Sequence, residues 1–278
     1  MRELAIREVA EQTGLAAGTI RMWEQRYGFP EPQRTPTGYR LYSPEDVETL
    51  RRVIALRQGG LSVPAALERA RSVGSGLTDR PSIFGAVPHG GRARRLRKRT
   101  LIALSCAIED ETLAAAAAPL VLGAFQKVVH YRAVEHRYRR LAEAADLAAV
   151  FADFGGRNPG RGDDGPIEVD IGGSDPMAHE WAVVVDAPGF SVCLIAWEPP
   201  VVEPPADDRD RVFESFWTLD PEAVRRASHA GAAVARGPAP EVADRIENLL
   251  ADRPLGTGAS VDALESLTRR MVAYLERP

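Results

Sequence analysis

The chain has 278 residues, more than one average domain needs, so two domains with connectors are expected. Apolar residues make up 45%, enough for at least one sizeable core, and no apolar run approaches the ~20 residues of a membrane span. The N-terminus shows no charged-then-apolar leader and the two cysteines are too few for a disulfide framework, so a cytoplasmic setting without membrane contact is expected.

The net charge of −4 conceals an asymmetry. Residues 1–99 hold 18 Lys/Arg against 10 Asp/Glu, a balance of +8, while the remainder holds 17 against 29, a balance of −12. A basic front and an acidic back point to two domains with different partners, the front being the candidate for a polyanion.

Taken in chain order, Ile6, Val9 and Ala10 give one apolar face over Ile6–Thr13, and Gly14 stands where a helix stops. A second helix is predicted from about Gly18 to Tyr27, ended by Gly28 and Pro30. Turn formers Pro32, Pro36 and Gly38 sit between "EPQRT" and "YRLY", which reads as a short hairpin. "SPEDV" opens a third helix with Ser43 as N-cap and Pro44 at the first helical position, running to Gly59–Gly60. Ser62 caps a fourth, to about Arg71. Residues 72–99 read as a linker ending in the basic run Arg92–Arg99, either solvated or adding phosphate contacts.

The second domain is expected over 100–236. A helix at "TLIALSCAIEDETLAAAA" leads to strand "PLVLGAFQK", a long helix His130–Ala145, and strands "LAAVFADF", "PIEVDI", "WAVVVDAP" and "FSVCLIAWE". "RVFESFWTLDPEAVRRASHAGAAVA" reads as one or two helices, and 237–278 as C-terminal helices serving dimerisation or packing. The fold class expected is therefore a winged helix-turn-helix at 1–71 followed by an α+β domain, its mainly antiparallel sheet flanked by helices.

Helix, tight glycine turn, helix and basic hairpin is the layout of a winged helix-turn-helix, whose second helix enters a major groove about 12 Å wide. Arg21 is placed for guanine or phosphate, Thr19 for a phosphate at the helix start, and Arg34 and Arg40 on the hairpin for the backbone. Trp23 and Tyr27 are open to a second reading as core aromatics, and Arg26 as a solvated surface residue.

The stretch "IREVAEQTGLAAGTIRMWEQRYGFPEPQRTPTGYRLYSPEDVETLRRVIALRQGGLSVPAALE" resembles the DNA-binding domain of the MerR family of transcriptional regulators. "TIRMWE", "GYRLY" before an acidic helix start, and "LRQGGLS" carry the resemblance. It implies homodimers on near-palindromic promoter DNA, with RNA polymerase as a further candidate partner. By position it implies contacts from Thr19, Arg21, Trp23 and Arg26 on the helix, and from Gly38, Tyr39, Arg40 and Tyr42 in the wing. "WEQRYGFPEP" looks more like the light- and cobalamin-linked branch, several of which repress.

The second half carries no catalytic signature, no clustered metal-ligand spacing and no cobalamin-binding "DxHxxG", so no enzyme, metal or cofactor is expected. Cys106 and Cys193 read as buried packing residues. "LIALSCAIEDETLA", "PLVLGAFQK" and "EWAVVVDAPGFSVCLIAWE" look like the DICT domain, a presumed sensory module. That implies an effector, small molecule or protein, with Glu109, Phe125, Gln126, Phe151 and Trp181 as candidate lining residues. The function expected is a sequence-specific regulator modulated by a sensed signal. The alternative is a constitutive architectural DNA binder whose second half only mediates assembly.

Overall fold

The computed structural model describes residues 3–35, 38–58, 61–72, 81–88, 92–156, 160–161, 165–173, 175–199, 205–256 and 258–277. The chain forms two compact units, 1–79 with 89–91, and 80–88 with 92–278.

In the first unit, β1 (Leu4–Ala5) leads into α1 (Ile6–Thr13), where Glu8 accepts the Ala5 N–H at 2.9 Å and caps the first turn. Gly14, at φ 72°, ends α1 in the left-handed conformation that a non-glycine residue resists. α2 (Ala17–Tyr27) follows, then β2 (Gln33–Arg34) and β3 (Arg40–Tyr42). The three strands form one antiparallel sheet in the order β1-β3-β2. The two-residue β1 is too short to show a period, which is why the sequence gives no sign of it. α3 (Pro44–Gln58) begins with Ser43 and Asp46 capping each other, and α4 (Val63–Ser72) lies against it. Val9, Ile20, Trp23, Tyr42, Leu50 and Val53 form the buried interior.

The second unit contains α5 (Ile83–Ala86), β4 (Arg94–Arg97), α6 (Lys98–Ala115), β5 (Leu120–Ala124), α7 (Val128–Arg132), α8 (Glu135–Ala144) and β6 (Leu147–Ala152). It continues with β7 (Gly160–Arg161), β8 (Ile167–Asp170), β9 (Glu180–Ala187), β10 (Phe190–Trp197), β11 (Val212–Thr218), α9 (Pro221–Ala235), α10 (Pro240–Asp252) and α11 (Val261–Leu275). Eight strands pair in the order β4-β11-β10-β9-β5-β6-β8-β7, antiparallel except for β5–β6 and β6–β8. α6, α8 and α11 cover one face, α5 and α9 the other, with α10 on α9. Because both faces are covered, β6 and β10 are buried at every residue and read as unbroken apolar runs.

Three expectations are corrected. The segment 72–99 is not simply a linker. Ile83, Phe84 and Val87 are buried, Ser82 and the Phe84 N–H both donate to the buried Glu180, and β4 pairs with β11 as an edge strand. Arginines at 94, 95 and 97 are exposed there, a composition that discourages a sheet edge from pairing with another chain.

Residues 212–218, expected to be helical, form β11. Phe213, Phe216 and Trp217 are spaced i, i+3, i+4, which imitates a helix, but β-favouring side chains and the open edge of β10 prevail. The helix starts only at Pro221, where Asp220 caps it.

The helix expected over His130–Ala145 is two, broken at Ala133–Val134. The break lets Tyr131 and Tyr138 both reach the Phe125 ring, at 5.5 and 5.2 Å between centroids.

Candidate functional sites: an arginine-bearing helix and a cavity

In the first unit, α2 turns Ile20 and Trp23 inward; Trp23 is 1% exposed. Their spacing of three residues fixes the opposite face, leaving Arg21, Met22, Gln25 and Arg26 exposed and Thr19 half-buried in the first turn. Arg26 lies over Tyr27, 5.6 Å from the ring centroid. Glu24 takes the Arg40 Nε at 2.8 and 3.1 Å and has Arg34 3.8 Å away, so one helix carboxylate faces both strands of the wing. The hydrogen bond and charge of Glu24 hold the Arg40 guanidinium above its ordinary range. At the wing tip Gly38 has φ 85°, and Tyr39 is 73% exposed.

Of the residues expected at a DNA face, Arg21, Arg26, Arg34, Gly38 and Tyr39 are exposed. Trp23 and Tyr42 are corrected to core residues: both are buried, and a side chain with no outward surface cannot touch a groove. Arg40 is half-buried, and its Nε donates to Glu24, which ties the wing to the helix.

In the second unit a cavity of about 210 Å³ lies between α6, β9 and the α7–α8 pair. Phe125, Val134, Tyr138 and Trp181 supply its apolar wall. The Trp181 Nε1–H donates to Ser105 at 3.0 Å, which fixes the indole. Glu109 is buried and paired with Arg137, which also donates to Asp110 at 2.8 Å and to the Cys106 carbonyl at 3.0 Å. Burial pushes the Glu109 carboxyl up, against the pull of Arg137. Burial likewise drives the Tyr138 phenol well above its ordinary range, and Glu109 adds to it, so Tyr138 stays protonated.

At the outer end Lys98 is ion-paired with Asp208, and its Nζ lies 3.4 Å from His130 Nε2. The hydrogen bond from Lys98 holds the Asp208 carboxyl down at about 2. Burial and the Lys98 charge keep His130 below its usual pKa, hence neutral at pH 7. Burial pushes the Cys106 thiol up to about 11, far from a reactive thiolate.

Three of the expected effector residues, Glu109, Phe125 and Trp181, meet at this cavity. Gln126 and Phe151 are corrected. Gln126 bridges Glu198 and Arg211 instead, at 2.8 and 2.7 Å. Phe151 alternates with Val150 and Ala152, which face α8, and so lies on the opposite face of the sheet. Sequence reading missed Lys98, His130, Tyr138, Asp208 and Arg209. The one available signal was the Arg92–Arg99 run, in which Lys98 alone among the charged residues is buried. Among the described residues no group of three or more His, Cys, Asp or Glu is placed to hold a metal ion. No helix among them is long and apolar enough to cross a membrane.

Residues 4–72 match the MerR HTH family regulatory protein family, and residues 85–199 match the sensory domain in diguanylate cyclases and two-component systems, DICT. The HTH-type transcriptional repressor CarA of Myxococcus xanthus is 46% identical over 71 residues, 25% of each chain. CarH of the same organism, also named a transcriptional repressor, is 37% identical over 76 residues, 27% of this chain and 25% of its own. The HTH-type transcriptional regulator YfmP of Bacillus subtilis is 41% identical over 58 residues, 21% of this chain and 41% of its own. The chain thus spans about a quarter of the length of the two Myxococcus relatives it matches. An outward arginine face on the second helix of a winged unit, a cavity in the unit that follows it in the chain, and these two matches converge: the chain joins a MerR-type helix-turn-helix domain to a DICT sensory domain.

Proposed function

We propose that this chain is a sequence-specific DNA-binding transcriptional regulator whose promoter binding is modulated by a signal sensed in the second unit. The observation that carries the reading is the division of α2: Ile20 and Trp23 lock it into the core, so Arg21 and Arg26 project outward beside a wing carrying Arg34 and Tyr39. Arginine forks suit both guanine edges and phosphate oxygens. The two Myxococcus relatives are named repressors, which favours repression here. One helix and wing read few base pairs, so a homodimer on symmetric half-sites is part of the proposal.

The test is selection of bound fragments from genomic DNA with the purified protein, followed by anisotropy titrations on the selected site. Arg21→Ala should lower specific affinity by about 1–3 kcal/mol and relax sequence preference, with the fold intact. Undiminished affinity and preference in that variant would sink the assignment of α2 as the reading helix.

A second reading, an architectural DNA binder whose second unit only assembles copies, is favoured by one observation. α11 leaves Val261, Leu264, Val272 and Leu275 exposed. Occupation of the cavity that changes operator affinity decides against it.

A further inference from the structure

The cavity of the second unit carries a chemical preference, and the inference here rests on reading that unit as the sensing part of the molecule. We propose that the cavity binds a small aromatic monocarboxylate, its ring against Trp181 and Val134 and its carboxylate on Lys98 and Arg209.

Size comes first. A cavity of roughly 150 Å³ holds a benzene ring, and the one here measures about 210 Å³, room for one ring or two fused rings with a short polar arm. Shape follows: Phe125 and Tyr138 already meet edge to face, at 74° and 5.2 Å, and Trp181 is fixed by Ser105. A third flat ring adds to such a set in offset or edge-to-face contact.

The polar end selects the charge. The Lys98 side chain is 6% exposed, and its ammonium meets Asp208 and His130. An ammonium carries three donors, so one remains without a partner among the described residues. Arg209 also lines the cavity, at an exposed position. Asp208 at this end already serves both Lys98 and Arg211, so a ligand carboxylate would satisfy the remaining Lys98 donor and the Arg209 guanidinium. A bare hydrocarbon ring would leave the buried Lys98 donor unmet. A cationic amine would need a free acid, yet Asp208 is held by Lys98 and Arg211, and Glu109 by Arg137. Covalent capture by Cys106 is disfavoured because its thiol stays protonated.

The experiment is calorimetric titration of the full chain with phenylacetate, indole-3-acetate, indole-3-acetamide and tryptamine. The expected result is that at least one acid binds tenfold or more tighter than the amide, and that tryptamine binds no better than the amide. Ala133→Trp, which places an indole on the cavity lining, should weaken binding of acid and amide alike. Lys98→Met should reduce acid affinity about tenfold while leaving the amide unchanged. Arg209→Gln, at an exposed position, should cut the acid-over-amide ratio several-fold and does not depend on the buried ion pair. If neither acid binds, if the amide or amine matches the acid, or if neither charge variant changes the ratio, the proposal is overturned. Operator affinity with and without bound acid scores the sensor reading separately. An acid that binds without altering DNA affinity supports the ligand assignment and removes the sensor. A DNA response to some other compound, with no acid bound, does the reverse.

Discussion

At Tyr42 the ring is fully buried and its hydroxyl has no hydrogen-bond partner among the described residues. An unsatisfied buried hydroxyl costs about 1–3 kcal/mol, so Tyr42→Phe should leave stability unchanged or raise it by up to about 1 kcal/mol, with DNA affinity unaltered. Urea unfolding and anisotropy titrations check both, and a clear drop in either would restore Tyr42 as a polar contact. Trp23 differs, because its whole side chain is buried in the interior of the first unit. His130 couples stability to pH. Burial and Lys98 depress its folded pKa, so the unfolded chain takes up this proton first as pH falls, near 6.5. Its contribution is full above about pH 7 and is lost as pH drops below the unfolded value. Thermal midpoints measured between about pH 7.5 and 5.5 should therefore fall less steeply in His130→Gln than in the native chain.

Element packing is tight where α8 meets β5. A Cβ on Gly123 would stand 2.5–2.8 Å from the Tyr138 ring atoms, so only glycine lets the helix approach the strand this closely. Gly123→Ala should cost about 1–3 kcal/mol by overpacking and push Tyr138 toward the cavity, so chemical denaturation and ligand titration should respond together. A destabilised variant with undisturbed binding would separate the two roles. The same scale explains what the sequence makes legible. α1 to α4 announce themselves because Gly14, Gly28, Ser43 and Pro44 punctuate them with chemistry that only helix ends need. β11 does not, because Phe213, Phe216 and Trp217 satisfy two periods at once and the deciding partner, β10, is remote in its pairing. The outer end of the cavity is still less legible. Lys98, His130 and Asp208 come from three segments that only the completed sheet brings together, and their spacing along the chain carries no motif.

For the whole molecule, the proposed dimer needs a self-complementary surface, and α11 offers one. Its inner face, Leu267 and Met271, is buried against α6 and the sheet, while Leu264, Val272 and Leu275 remain 44–53% exposed along a neighbouring stripe. Exposed stripes of this kind mark interfaces more often than scattered single residues do. Charge favours a second copy as the occupant. Asp262 and Glu265 are exposed in the first half of α11 and Arg269 in the second. An antiparallel crossing about a two-fold axis near Thr268 brings Glu265 of one copy near Arg269 of the other, whereas a parallel one sets like charges together. Val272→Glu combined with Leu264→Glu should shift the protein from dimer to monomer in sedimentation velocity at micromolar concentration. Operator binding should weaken in step, because each copy then holds a single half-site, while the Arg21 surface itself is untouched. Glu265→Arg alone should weaken the dimer, and adding Arg269→Glu should restore it, a rescue that nonspecific apolar association would not produce. A chain that remains dimeric with both glutamates in place would move the interface off α11 altogether.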